Sequence, residues 1–211
     1  MPCVYFSNEL TQNLGPNVNS IYHELAPVIS PDGKKLYFAR EAHPSNTGIQ
    51  SLSDDQDIWV SELDEKGNWG PAKHIEAIFN SRVYDYPIGA SADGKTLYIG
   101  NVYKPDGTIT SGVSFTRLIR DHWLVPEGLQ IRQMYNKSST VNYYMASDEK
   151  TLLLNLHRDD TFGILDLYVS FQTEDGRWSE PRNLGKDINS AKSEITPFLA
   201  SDMKTLYFAS D

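Results

Sequence analysis

The chain has 211 residues, a formal net charge of −9 and a pI of about 5.0. It therefore lacks the basic surface expected of a protein that binds nucleic acid or an anionic membrane. No apolar run is long enough to form a membrane-spanning helix. Twelve Tyr, eight Phe and four Trp, together with many short β-branched runs, favour strands over helices.

The first 20 residues predict the end of a sheet rather than its beginning. The motif Asn-Leu-Gly at residues 13–15 is followed by Asn-Ser at 19–20, and the same pair of motifs recurs at 183–185 and 189–190. We therefore interpret residues 1–20 as the outer part of a preceding unit, with residues 4–6 as one of its strands. The single cysteine, Cys3, cannot form an internal disulfide, and no signal peptide is recognisable.

The first complete unit is predicted to span residues 21–80. A short strand at 28–30 leads to the corner Asp32-Gly33, which turns the chain into a second apolar run at 36–40. Asp-Gly between two such runs is typical of a hairpin turn. A third strand is predicted at 57–61. A Gly turn then leads to an outer strand that begins beside Pro71, as an edge strand tolerates.

The same order of features recurs through the rest of the chain. The corner returns at Asp93-Gly94, at Asp148 and at Asp202, in steps of 61, 55 and 54 residues. Such periodicity is the signature of a repeat protein. The landmarks that share this step are Trp69, Trp123 and Trp178, the Asn-Ser pairs that begin at Asn19, Asn80 and Asn189, and the acids Glu24, Asp85 and Glu194.

Four short strands in each unit of about 55 residues predict the blades of a β-propeller. The predicted fold is all-β, with one propeller region over residues 1–211. It has three full four-stranded blades at 21–80, 81–136 and 137–190, flanked by partial blade segments at 1–20 and 191–211. Either the two partial segments pair to close a four-bladed ring, or the chain is part of a larger ring, which the incomplete end segments favour.

Two groups of motifs resemble known propeller repeats. The run PVISPDGKKLYF at residues 27–38 and DIWVS at 57–61 resemble the WD-repeat-like repeats of the TolB type, or PD repeats. The run WSEPRNLG at 178–185, with INS at 188–190, resembles the propeller region of OmpA-family cell-envelope proteins of bacteria. The resemblance covers nearly the whole chain and implies a periplasmic or outer-membrane-associated scaffold. A link to peptidoglycan would require an OmpA-like domain, which these residues do not contain.

The residues that recur in every unit are expected to be structural. The corner carboxylates should accept backbone N–H bonds within the turn, and the corner glycines should supply a positive φ. Asp57 and Asp166, which precede third strands, should fasten the loop before them, and the three Trp should pack between blades. The corner residues concerned are Asp32, Gly33, Asp93, Gly94, Asp148 and Asp202.

No catalytic or metal-binding motif is recognisable, so we expect no metal and no cofactor. The five His do not have the spacing of metal ligands. No Gly-flanked nucleophilic Ser and no phosphate-binding loop is present. Sialidase repeats separate the Asp and the Gly that adjoin here, and nothing gathers the His as an oligogalacturonate lyase would need.

The candidate binding residues lie in loops that depart from the repeat. In a propeller, the loops that enter the first strand and those between the second and third strands share one face. Aromatic, acidic and His residues there suit recognition of a peptide or glycan, although exposed loops are often simply polar and tyrosines can pack the channel wall. The candidates are Tyr22, His23, Glu24, Arg40, Tyr84, Asp85, Asn101, Tyr143, His157, Arg158 and Glu194.

The sequence favours a non-enzymatic interaction or scaffold module of the bacterial cell envelope, which binds a protein, peptide or glycan partner through that face. One alternative is a carbohydrate-active propeller enzyme that resembles an oligogalacturonate lyase or a sialidase. Another is the propeller gating domain of a serine peptidase, which would require a hydrolase domain elsewhere. The expected periplasmic or outer-membrane location comes from the resemblance alone.

Overall fold

A computed structural model of the protein describes residues 12–47, 55–75, 79–81 and 83–211. Within these ranges the chain forms fifteen strands and no helix, and the strands pair antiparallel in four successive sheets. The prediction of an all-β fold is therefore confirmed. Cys3 and the strand predicted at residues 4–6 lie outside the described ranges. No helix of the described part is long and apolar enough to cross a membrane.

Sheet 1 is a simple antiparallel meander. Its strands are β1 (His23–Ile29), β2 (Lys35–Glu41), β3 (Gln56–Glu62) and β4 (Lys73–His74), hydrogen-bonded in that order. The middle of β2 is buried at five consecutive residues, so both faces of this strand are covered. This explains why its sequence is a continuous apolar run rather than an alternating one. The outermost strand has only two residues, which limits the exposed edge.

Sheet 2 departs from the four-stranded pattern. It contains β5 (Pro87–Ala90), β6 (Thr96–Tyr103), β7 (Ile109–Ile119), β8 (His122–Trp123) and β9 (Glu127–Gly128). Both β8 and β9 pair with β7, because β7 has 11 residues and is long enough for two short partners. The hairpin of β6 and β7 is longer than its counterparts in sheets 1 and 3.

Sheet 3 repeats the pattern of sheet 1, with strands β10 (Tyr143–Met145), β11 (Thr151–Leu156), β12 (Asp166–Phe171) and β13 (Arg182–Asn183). All six residues of β11 are buried.

Sheet 4 consists of two strands in the described part of the chain, β14 (Glu194–Leu199) and β15 (Leu206–Ser210). Each of the four sheets lies inside one of the segments delimited from the sequence. The blade boundaries themselves stay a prediction.

The sheets pack on one another through their first strands. Strand β1 contacts β5, β5 contacts β10, and β10 contacts β14. The approach of β5 to β10 is close at Gly89, where a Cβ atom would lie 2.6 Å from the Cβ of Met145. One hydrophobic cluster joins sheet 1 to sheet 2 through Ile58 and Leu97. Another joins sheet 2 to sheet 3 and includes the buried Trp178.

The Asp corner joins the first and second strands of each sheet. In sheet 1, Asp32 Oδ1 accepts hydrogen bonds from the Ser30 hydroxyl at 2.6 Å and the Lys34 N–H at 3.1 Å, and these bonds lower the pKa of Asp32. Gly33 has a φ of 73°. The same kind of bond to a backbone N–H two residues further on recurs at Asp93, Asp148 and Asp202.

The corner conformation persists where glycine has been lost. Glu149 and Met203 occupy the glycine position in sheets 3 and 4, and their φ values are 57° and 55°. A residue with a Cβ atom pays about 1–2 kcal/mol for this left-handed region. The hairpin and the Asp hydrogen bonds therefore impose the conformation, and glycine only relieves its cost.

Candidate functional site

Three of the predicted site residues are acids that bind the loop before a first strand. Glu194 accepts hydrogen bonds from the backbone nitrogen and the hydroxyl of Ser190, at 3.0 and 2.6 Å. Asp85 accepts the same pair from Ser81, and Glu24 accepts it from the serine at position 20. Because the contact recurs once per unit, it serves the unit. Asp85 and Glu194 are fully buried.

The pKa values of two of these equivalent acids are shifted in opposite directions. Burial raises the pKa of Asp85 to about 7, against the hydrogen bonds that Tyr103 and Ser81 donate to it, and the nearby charge of Asp57 adds to the rise. Burial also acts on Glu194, but hydrogen bonds from Ser190 and from the hydroxyl at position 210 outweigh it, so the pKa of Glu194 is lowered. The local surroundings, rather than the shared bonds, set the direction.

Arg40, a binding candidate named from the sequence, is buried and hydrogen-bonded within the protein. Its Nε donates to Glu24 Oε1 at 2.9 Å, and its Nη2 donates to the carbonyl oxygen of Val18 at 2.7 Å. The guanidinium lies 4.3 Å from the ring centroid of Trp59. These contacts tie residue 18, which precedes sheet 1, to the sheet, so the side chain is an internal link rather than an exposed binding group.

Arg158, in the loop between β11 and β12, makes comparable contacts. Its Nη1 donates to the carbonyl oxygen of Gln133 and its Nη2 to Glu180 Oε1. Its guanidinium lies 4.4 Å from the ring centroid of Tyr135. The neighbouring His157 is anchored through its backbone, whose N–H donates to the side chain of Asn136.

A row of rings on sheet 1 was not foreseen from the sequence. Tyr22 lies edge-on to His43 at 4.9 Å between centroids, His43 to Trp59 at 4.5 Å, and Trp59 to His74 at 5.4 Å. Burial lowers the pKa of His43. The predicted His23 lies outside this row and exposes 79% of its side chain, with Nδ1 3.1 Å from the carboxylate of Glu41.

The pair His74–Asp57 resembles part of a catalytic constellation, but the repeat explains it. His74 Nε2 lies 2.6 Å from Asp57 Oδ2. At the equivalent place in sheet 3, Asn183 Nδ2 donates to Asp166 Oδ2 at 2.7 Å. A histidine in sheet 1 and an asparagine in sheet 3 therefore have the same structural role: each binds the fourth strand to the aspartate at the start of the third strand. Asp166 also accepts N–H bonds from the loop before it, at residues 162 and 163.

A cavity of about 610 Å³ lies between the first strands of the sheets. Sheets 1 and 4 contribute Ala26 and Thr196, sheet 2 contributes Tyr84 and Asn101, and the loop that enters sheet 3 contributes Asn142. Of the candidates named from the sequence, Tyr84 and Asn101 line this cavity. A third, Tyr143, lies behind the wall. Its hydroxyl is 3.1 Å from the hydroxyl of Ser111, which lines the cavity.

The described residues of the cavity wall carry no formal charge. Its fifteen lining residues comprise three with amide side chains, seven with hydroxyls and five aliphatic residues. No Asp, Glu, Lys, Arg or His belongs to this described lining, although the whole chain carries a net charge of −9. The volume is that of a small-molecule or chain-segment binding site, and by residue type the lining is more polar than such sites usually are.

Tyr86 forms part of this wall and is held rigidly. Its ring packs on Gly100, where a Cβ atom would lie 2.1 Å from the ring carbon Cζ. The Tyr86 hydroxyl is buried and has no hydrogen-bond partner within the described part of the chain. Burial raises the pKa of Tyr86, so the group is a neutral hydroxyl.

The backbone is strained at three positions of the wall. Ala26 and Thr196 have φ values of 48° and 50°, and Asn101 has a φ of 74°. Each lies at a register shift in its strand pair. A β-branched residue such as Thr196 is especially unfavourable in this region. Strain of this kind concentrates at functional sites.

The described residues contain no group of three or more His, Cys, Asp and Glu that could hold a metal ion. No family model matches the sequence, and no curated protein matches it.

Two solved structures share a weak similarity with the chain. Hydrazine synthase of Kuenenia stuttgartiensis has 17% identity and a TM-score of 0.45, over 85% of this chain and 47% of that one. The periplasmic gluconolactonase of Pseudomonas aeruginosa has 14% identity and a TM-score of 0.41, over 89% of this chain and 63% of that one. The chain thus spans less than two thirds of either protein, and similarities this low assign neither a family nor an activity.

Proposed function

We propose that the chain is a β-propeller interaction module that binds a partner in the cavity between its first strands. The proposal rests mainly on which parts of the chain supply the residues of the cavity wall. Its residues come from sheets 1, 2 and 4 and from the loop that enters sheet 3, at positions where the units differ from one another, such as Ala26, Asn142 and Thr196. The polar residues that recur in the units are instead occupied within their own sheets.

The propeller itself is part of this proposal. Successive antiparallel sheets whose first strands are neighbours have the arrangement of propeller blades. We infer complete blades at 21–80, 81–136 and 137–190, with partial segments at 1–20 and 191–211. The resemblance of the repeats to the TolB type supports this assignment. The proposed location in the bacterial cell envelope rests on that resemblance alone.

A binding role fits the wall better than a catalytic one. Hydrolysis or elimination on a sugar needs positioned general acids and bases, commonly carboxylates or histidines. The described lining has neither. It also lacks a cation that would bind the carboxylate of a uronate or sialate, which weighs against the lyase-like and sialidase-like alternatives.

The proposal is tested by mapping ligands on the isotope-labelled chain with NMR. Three ligand classes are added in turn: neutral oligosaccharides, acidic oligosaccharides and short peptides. At least one class should shift the amide signals of Tyr84, Asn101 and Thr196 without shifting those of the corner at Asp32. Chromatography of the same mixtures should detect no product. Shifts confined to other surfaces, no shift with any class, or turnover of a ligand would overturn the proposal.

A further inference from the structure

We propose that the partner bound in this cavity is a neutral saccharide. The inference rests on the proposed function and names its ligand class. It follows from the charge of the wall, from its mixture of apolar and hydroxyl groups, and from one exposed aromatic ring at the cavity.

The lack of charge in the described lining disfavours ionic ligands. A carboxylate or ammonium group that left water for this cavity would find no opposite charge among the fifteen lining residues, and its desolvation would be uncompensated. The net charge of −9 also repels anions at longer range. A neutral ligand carries neither penalty, because its hydroxyl and amide groups need only hydrogen-bond partners.

The mixture of groups in the wall matches the two-sided character of a sugar ring. A pyranose has an apolar C–H face and an edge of neutral hydroxyls that both donate and accept. The wall offers aliphatic residues such as Leu25 and Val141 for the face. It offers amides such as Gln56 and Asn142 for the edge, since an amide supplies both donors and an acceptor.

Tyr84 supplies the aromatic surface. It lines the cavity and exposes 51% of its surface. Its backbone is fixed, because its carbonyl oxygen accepts a hydrogen bond of 2.7 Å from Asn101 Nδ2 and because it forms a bridge with Gln56. A ring on a fixed backbone is a large contact surface that loses little conformational entropy on binding.

The test compares probes of similar size by isothermal titration calorimetry on the full chain. The neutral probes are chitotetraose, xylotetraose and maltotetraose. The acidic probe is tetragalacturonate, and the peptide probe is an acetylated and amidated Gly-Asn-Ser-Gly. At least one neutral tetrasaccharide should bind, and its affinity should change less than about twofold between about 0.01 and about 1 M salt, because screening does not act on a neutral ligand.

A matched pair of variants locates the site. Tyr84→Ala should weaken binding of the neutral saccharide about tenfold or more. Tyr207→Ala removes a ring of similar exposure, 53%, from sheet 4 outside the cavity lining, and should leave the affinity within about twofold. Unchanged melting temperatures for both variants separate loss of binding from loss of fold.

Binding of the peptide or of tetragalacturonate alone, with shifts in the cavity, would overturn the saccharide inference and leave the proposed function standing. No binding by any probe would overturn both. Saccharide binding that Tyr84→Ala leaves intact would place the site elsewhere and would also overturn the inference.

Discussion

Asp85 gives the structure a pH dependence that can be worked out in advance. It is fully buried, and burial together with the charge of Asp57 raises its pKa from 3.8 to about 7. The unfolded chain therefore releases the Asp85 proton near pH 4, whereas the folded chain retains it up to about pH 7. Between these values the folded state binds more protons, so the free energy of unfolding falls as the pH rises.

The size of the effect follows from the same values. Each pH unit well inside this window costs about 1.4 kcal/mol of stability. Over the whole window from 3.8 to about 7 the loss is on the order of 4 kcal/mol. Asp85→Asn removes the titration and keeps the shape of the side chain, with an oxygen that can still accept the hydrogen bonds from Ser81. We expect the free energy of unfolding of the variant, relative to that of the wild-type chain, to rise steadily from pH 4 to pH 7. Above pH 7 the difference should stay constant.

Urea unfolding followed by tryptophan fluorescence, at about one-unit pH intervals from 4 to 8, measures this difference. Glu194→Gln is the matched control, because Glu194 accepts the same hydrogen bonds from its serine but has a lowered pKa. The folded wild-type chain holds the Glu194 proton less tightly than the unfolded chain does, so the stability of Glu194→Gln relative to wild type should fall as the pH rises toward 4.5 and should stay constant above it. A difference between Asp85→Asn and wild type that stayed constant with pH, or changed in the opposite direction, would refute the reasoning.

Three further predictions concern local energetics. Gly33→Ala should lower the free energy of unfolding in urea by about 1 kcal/mol and Met203→Gly should raise it by about as much, since nothing lies within 4 Å of a Cβ at residue 33 and only the positive φ matters there; a change of the same sign in both variants would contradict this. Asn189→Ala should cost about 2 kcal/mol, because it leaves the buried N–H of Leu167 without its partner, while the Leu167 carbonyl keeps its hydrogen bond from the Leu184 N–H; a loss below about 1 kcal/mol would mean that water replaces the amide. Tyr86→Phe should leave the melting temperature unchanged or raise it, since the lost hydroxyl is unpaired, and a clear decrease would reveal a hidden partner.

The sequence was informative wherever a residue recurs in register. The spacing of the Asp corners predicts the four successive sheets, because each unit needs the same turn to join its first two strands. A serine precedes each of Glu24, Asp85 and Glu194 by four residues, so the recurrence itself indicates a structural pair. That signal could have removed the three acids from the binding candidates.

Other features of the site could not be predicted from the local sequence, because they depend on how the sheets pack together. The cavity exists because the first strands of four sheets lie next to one another, which depends on how far each sheet is rotated from its neighbour. Tyr84 and Asn101 could be selected as loop residues that differ from the repeat. The contributions of Ala26 and Thr196 could not, since they depend on bulges in β1 and β14. Burial of Arg40 and Arg158 was equally hidden, because charged side chains are seldom fully buried.

One substitution in the repeat explains how sheet 2 acquires its part of the wall. In sheets 1 and 3 an aspartate stands before the third strand and holds the preceding loop. Its carboxylate accepts N–H bonds from that loop, as Asp57 does from Thr47 and Asp166 from Gly163. The equivalent position in sheet 2 is Gly112, with a φ of 151°. Without the carboxylate, the loop has no anchor at this point.

The chain instead continues as a hairpin past Gly112. Val102 pairs with Thr110, and Tyr103 pairs with Ile109. The side chain of Val102 packs against Gly112, where a Cβ atom would lie only 2.6 Å from Val102 Cγ2. The extension carries Ile109 and Thr110 into the cavity wall, and the bulge at the base of the hairpin adds Asn101. Where the aspartate is absent, the loop between the second and third strands is thus replaced by a longer hairpin that lines the cavity. Sheet 2 and the loop before it therefore contribute more residues to the described lining than any other unit.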